Sequence, residues 1–279
     1  MELYREAIRY FLTPFPRHLR DMGYVKELKH LASRQKRCRS AWRPHLENSR
    51  STILDAADRC RQFDAVLVVG SGLLFDIPTK ELSRRFRRVI LADIVHLWQV
   101  RRAVHPLGNV HLESVDITGV VKDVHARTPA GRGLEVPVPE PNLFLGDKVD
   151  LVVSANLLSQ LPVTPNGYVS RRGHDPEPEL MRSFSRQLVI RHLDWLASFA
   201  CNACLISDLE RHYCKEGKTV DRERSLWGVD LPEGGREWFW DLAPRPEMEW
   251  DRDIRHLVVG YAEFPKRVWR ERRAELCGE

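Results

Sequence analysis

Val66-Leu67-Val68-Val69-Gly70-Ser71-Gly72-Leu73-Leu74-Phe75-Asp76 is an apolar run that ends in two glycines. Such a run suits a strand buried on both faces. The glycines behind it permit backbone angles closed to other residues, and they remove the side chains that would keep a ligand from the main chain. Working outward, apolar runs at 89–92, 110–115, 149–153 and 203–207 repeat the pattern. Helix-like stretches lie between most of them, with Leu82 and Phe86 in one and Phe184, Leu188, Trp195 and Phe199 in another. This alternation predicts a parallel sheet covered on both faces, with right-handed crossovers.

After the fifth strand the alternation stops. Runs at 237–242 and 256–264 are separated by a polar segment with prolines and no long helix, which predicts an antiparallel hairpin. The expected class is therefore α/β, a mostly parallel seven-stranded sheet ending in an antiparallel hairpin. Before Gln62, Tyr24, Leu28 and Leu31 share helical spacing, as do Ile53, Ala57 and Cys60. Pro14 and Pro16 predict a boundary between a first and a second helix, and Pro44 predicts a break in a third. The expected division is an N-terminal helical extension at 1–61, an α/β domain at 62–265 and a basic C-terminal tail at 266–279. The extension is expected to cap the sheet or to wall a substrate pocket.

The 279 residues are 43% hydrophobic and 30% charged, which suffices for one large core plus an appendage. The net charge of +5 is modest, but residues 1–61 hold 14 Lys/Arg against 7 Asp/Glu. That excess suits an anionic partner: a small molecule, a lipid headgroup or a nucleic acid, although no aromatic-rich RNA-binding motif accompanies it. No apolar run approaches the ~20 residues of a membrane span. Glu2, Arg5, Glu6, Arg9, Arg17 and Arg20 fall where a signal peptide needs an apolar centre, so the expected location is cytoplasmic. The six cysteines, Cys38, Cys60, Cys201, Cys204, Cys214 and Cys277, are irregularly spaced and predict reduced thiols. Cys201-x-x-Cys204 with His212 and Cys214 lacks the second pair a zinc site uses, so no metal is expected.

Asp93 closes the second strand about twenty residues past the glycine turn, where a carboxylate can accept both hydroxyls of a ribose. Asp116 closes the third strand and is placed for an adenine amino group, with Ile117 packing on the ring. Polar residues at the other strand ends are candidates for handling an acceptor: Asp76, Asn156 and Gln160, then Asp208, Glu210 and His212. Asn156 is assigned hydrogen bonding to an acceptor amine or hydroxyl, and Asp208 or His212 proton removal. Alternation puts Trp238 and Trp240 on one strand face, to pack on a helix or stack on a planar or cationic acceptor; Trp250 lies nearby. Segments 128–148 and 162–178 read as loops, and Arg171, Arg172 and His174 make the second the better candidate for touching substrate.

Over residues 63–264 the arrangement resembles the class I S-adenosylmethionine-dependent methyltransferases, which have a Rossmann-like methyltransferase fold. The resemblance implies S-adenosylmethionine as cofactor and an unidentified methyl acceptor. It places Gly70, Ser71 and Gly72 against the methionine part, Asp93 at the ribose and Asp116 with Ile117 at the adenine. Ser154, Ala155, Asn156, Leu157 and Leu158 would line the transfer site. Val68 stands where many family members carry an acid, and Leu74 where a later glycine is common. These two positions favour an alternative, a catalytically inactive methyltransferase-like binding or regulatory protein. A second alternative, an NAD(P)-dependent oxidoreductase, would share the glycine turn and Asp93, but Phe75 stands where its fingerprint ends in Gly or Ala.

Overall fold

The structure, a computed structural model, describes residues 15–174 and 176–277; the first helix expected before Pro14 lies outside them. The middle of the parallel part of the sheet is β1 (Ala65–Val69), in parallel register with β2 (Arg88–Asp93) on one side and β4 (Leu151–Ala155) on the other. β3 (Val110–Ser114) extends the sheet beyond β2 and β5 (Asn202–Lys215) beyond β4. Next to β5 runs β8 (Asp253–Tyr261), antiparallel to it, and then β7 (Arg236–Ala243), antiparallel to β8. The order is β3-β2-β1-β4-β5-β8-β7, so the expected seven-strand path with its terminal hairpin is present.

An eighth strand, β6 (Lys218–Arg224), pairs with the outer half of β5. Glu216 and Gly217 link the two with φ of 49° and 78°, the backbone of a tight two-residue hairpin turn. Every residue of β6 is exposed and most are charged, so it carries no apolar pattern; its order comes from the β5 backbone.

Alternation along β1 sends Leu67 and Val69 into one core layer and Val66 and Val68 into the other, which is why the run is apolar throughout. One face is covered by α3 (Arg39–Asp58) and α4 (Thr79–Arg85), which bring Trp42, Ile53 and Leu82 to it. α8 (Pro178–Ser198) covers the other with Phe184, Leu188 and Trp195. Residues 266–277, set apart above as a basic tail, form α9 (Lys266–Cys277), whose buried Trp269 donates to Asp194 on α8 at 2.9 Å. Among the described residues no helix is long and apolar enough to cross a membrane.

Two expectations about loops and breaks are corrected. Pro44 does not interrupt the third helix: α3 runs through it, with Pro44 on the exposed face. Residues 162–178 are not one loop, because Val163–Arg171 is helical. Pro165 is tolerated there in the first turn, where amide protons have no partner within the helix. Arg171 donates to the Met22 carbonyl at 2.7 Å, closing the end of α1 (Arg17–Met22), and is thereby occupied structurally.

Candidate functional site

The parallel strands open at their C-terminal ends onto a cavity of about 480 Å³, roofed by α3 and by α2 (Tyr24–Arg37). The glycine turn forms its floor. Gly70 has φ of 76°, and a Cβ there would fall 2.6 Å from the Ala155 carbonyl and 2.8 Å from Leu157 Cβ, so the turns after β1 and β4 touch only because the side chain is missing. Gly72, at φ 48°, is different: the nearest atom to a Cβ there lies 3.9 Å away. Leu74, standing where a later glycine was noted as common, also takes a left-handed angle, φ 63°, so the turn holds a glycine-like backbone with a leucine side chain.

Asp93 braces this turn, its Oδ2 accepting from the Gly72 amide at 2.7 Å. Burial pushes its carboxyl above the usual range, against the opposing pull of that amide and of His96. Asn156, at the end of β4 with φ of 48°, donates from Nδ2 to Asp76 at 2.5 Å, while its Oδ1 is buried with no partner among the described residues. Burial also raises Asp76, opposed by the hydrogen bond from Asn156.

Asp116 and Ile117 reach the cavity too. Both oxygens of Asp116 are already engaged, however, by the Thr118 amide and hydroxyl at 2.9 and 2.6 Å and by the Val121 amide at 2.9 Å, so its carboxylate holds the turn that leads into α6 (Val121–Arg127).

Six of the strand-end candidates and resemblance residues are not brought to the cavity wall: Leu158, Glu210, Ser71, Ser154, Asp208 and His212. Ser71 is fully buried beside the turn. Ser154 points to the α8 side, where its hydroxyl meets His192 Nε2 at 2.8 Å. Asp208 lies behind His256, 3.0 Å from its Nδ1, and accepts from Ser159 at 3.0 Å. Burial works to raise Asp208, but His256, His45 and that hydroxyl outweigh it and hold the carboxyl below its ordinary range. His212 faces away from the cavity, bound to Glu210 at 2.8 Å and Thr219 at 3.2 Å.

The strand order decides the fold: five parallel strands, then an antiparallel one inserted before the last, with the pocket at the C-terminal ends. It is the class I S-adenosylmethionine-dependent methyltransferase fold. No family model matches the sequence, and no curated protein matches it.

Solved structures to which the chain is similar include the Bradyrhizobium japonicum WM9 N-methyltransferase NodS with S-adenosylhomocysteine, at 12% identity and TM-score 0.33 over 78% of this chain and 87% of that one. A DhpI–SAM–HEP complex overlaps 95% of this chain and 91% of its own at 14% identity and TM-score 0.35. The Burkholderia thailandensis 1,6-didemethyltoxoflavin-N1-methyltransferase overlaps 89% and 92% at 10% identity and TM-score 0.33. Likeness this distant says nothing of activity, and the fold rests on strand order and register.

Sequence reasoning missed several residues that this methyltransferase fold gathers at the cavity. Tyr24 shows in the sequence only as an apolar helix position, yet its half-buried side chain lines the cavity near Asp116 and Asp93, and desolvation with those charges raises its pKa far above the usual range. His45 and Arg211 had no local signal at all. His256 was read only as the start of a strand.

Proposed function

We propose that this chain is an S-adenosylmethionine-dependent methyltransferase acting on a small molecule. The observation that carries the reading is the convergence of the Gly70–Gly72 turn, Asp93 and Asn156 on one cavity of small-molecule size. The residues fit the cofactor: open space stands where Gly72 would carry a Cβ, and the Asp93 carboxylate is fixed beside it by the Gly72 amide. Asp93 would accept the ribose hydroxyls, and Ile94 and Ile117 would pack on the base. Tyr24 would close over the same end. When bound, S-adenosylmethionine supplies a methyl carbon already activated by its sulfonium.

The protein's own task is then alignment, water exclusion and proton handling. Asn156 Oδ1 holds an acceptor N–H or O–H in place. Asp76, bonded to the same amide and raised by its burial, is positioned to take the proton. α2 and α3 exclude water. Asp208 and His212 are not assigned proton transfer in this reading, since neither reaches the cavity.

Calorimetric titration tests it. S-adenosylmethionine and S-adenosylhomocysteine should bind saturably and NAD and NADP should not, and Asp93→Ala should lose the binding. Binding of NAD instead would favour the oxidoreductase alternative. A folded protein that binds none of the four would leave a methyltransferase-like fold used for something other than this chemistry.

A further inference from the structure

The end of the cavity away from the glycine turn is built by register. Arg211 on β5 and Trp240 on β7 both pair with His256 on the intervening β8, so the three side chains stand abreast on one face of the sheet. Above them α3 presents Trp42, His45 and Leu46, at helical spacing. The His45 ring lies flat on Trp240, centroids 4.1 Å apart and planes within 8°, and Trp42 meets Trp240 edge-on at 4.9 Å. Trp238 Nε1 donates to His45 Nδ1 at 3.1 Å. The Arg211 Nε donates to His256 Nε2 at 3.2 Å, and His256 Nδ1 faces Asp208, so Asp208 and His256 are positioning residues for Arg211.

Groups left without partners give this end a polarity. Trp240 Nε1 is a buried donor that bonds nothing among the described residues. Arg211 lines the cavity and, beyond the bond to His256, has no carboxylate within ion-pair distance among the described residues, although the β6 register sets the exposed Glu223 opposite it. At the opposite end the orphan is an acceptor, Asn156 Oδ1. Unpaired donors, one of them a permanent cation, call for an anion, and an unpaired acceptor calls for an N–H or O–H. Of these rings Trp240, packed from behind by His45 and Trp42, keeps some surface towards the cavity, and a flat ring of this kind favours a flat ligand.

From this we infer, resting on the methyltransferase reading above, that the methyl acceptor is a small aromatic acid. Its carboxylate meets Arg211 and Trp240 Nε1, its ring lies against Trp240, which His45 and Trp42 hold in place, and its amine or hydroxyl meets Asn156 Oδ1 near the glycine turn. The basic excess of the N-terminal segment has no direct part in this; a single unpaired guanidinium selects the charge.

The test uses the whole protein and matched pairs of probes: 2-aminobenzoate, 4-hydroxybenzoate and indole-3-carboxylate, each against its neutral carboxamide. Binding is read by calorimetry and by tryptophan fluorescence, with and without saturating S-adenosylhomocysteine. At least one acid should bind about tenfold or more tighter than its amide, as charge-assisted bonds imply. Arg211→Gln should erase that preference while S-adenosylhomocysteine binds as before. His256→Gln, which frees Arg211 without removing its charge, should weaken the preference less.

Amides that bind as well as acids, or no binding by any probe while S-adenosylhomocysteine binds, would overturn the inference and leave the methyltransferase reading intact. If S-adenosylhomocysteine itself fails to bind, that reading falls, and the acid preference measured without it decides whether the subsite stands as an aromatic-acid site. The wild-type comparison of acid with amide remains decisive even if the Arg211 variant does not fold.

Discussion

Gly70 and Gly72 look equivalent in the sequence, yet a Cβ would do different damage at each. At Gly70 it would strike the main chain of the neighbouring turn and Leu157 Cβ, so Gly70→Ala should lower stability by about 3 kcal/mol or more in urea unfolding. At Gly72 only the left-handed backbone angle is strained, at a cost of roughly 1–2 kcal/mol, while the new methyl enters open space beside the cavity. Gly72→Ala should therefore stay folded and lose S-adenosylhomocysteine binding. Asp93 carries a pH prediction. Its ionised form is the better acceptor for ribose hydroxyls, and burial raises its pKa, so binding should weaken as pH falls while ordinary carboxylates, near ~4, are still ionised. Asp93→Asn should bind weakly at every pH, with the profile flattened in calorimetry.

At the scale of elements, α3 and β5 each depart from local rules because tertiary contacts outweigh them. A proline in a helix interior costs about 3 kcal/mol, yet α3 survives it because Trp42, His45, Ser49, Ile53 and Ala56 are buried on one face at spacings of three and four. Replacing the exposed proline restores an amide donor without touching the packed face. Pro44→Ala should thus raise stability by about 1–3 kcal/mol, read as a higher urea midpoint with an unchanged slope. In β5 the register slips between Asp208 and Glu210. Asp208 pairs with Val258 and Arg211 with His256, so the extra residue puts two side chains of odd spacing on the same face. Strict alternation would have separated them.

At the scale of the whole molecule, acid sensitivity should come from histidines before carboxylates. Burial lowers both His45 and His192 to about 4, against 6.5 for an exposed ring. Between those values the unfolded chain takes protons that the folded chain refuses, so stability falls as pH drops through the window, by on the order of 3 kcal/mol per ring. Asp208 acts in a lower window: its depressed carboxyl contributes fully above ~4 and loses that contribution only below it. Urea midpoints should drop between about pH 7 and about pH 5, and His192→Gln should reduce the drop.

The sequence by itself determined the layered sheet, since a strand buried on both faces must be apolar at every position and 66–69, 89–92 and 151–153 are. It also determined the glycine turn and the acid after β2, because those depend on a residue type at a short chain distance. Only the tertiary structure decided which polar residues reach the cavity. Ser154 and Asn156 are two apart, yet the first is drawn into the core by His192 and the second is turned outward by a left-handed backbone angle. Arg211, His256 and Trp240 become neighbours through pairing across three strands, and Asp208 joins them through a bulge. Contacts between residues far apart in the chain leave no period in the sequence, so a row of side chains across a sheet becomes visible only once the strands have found their register.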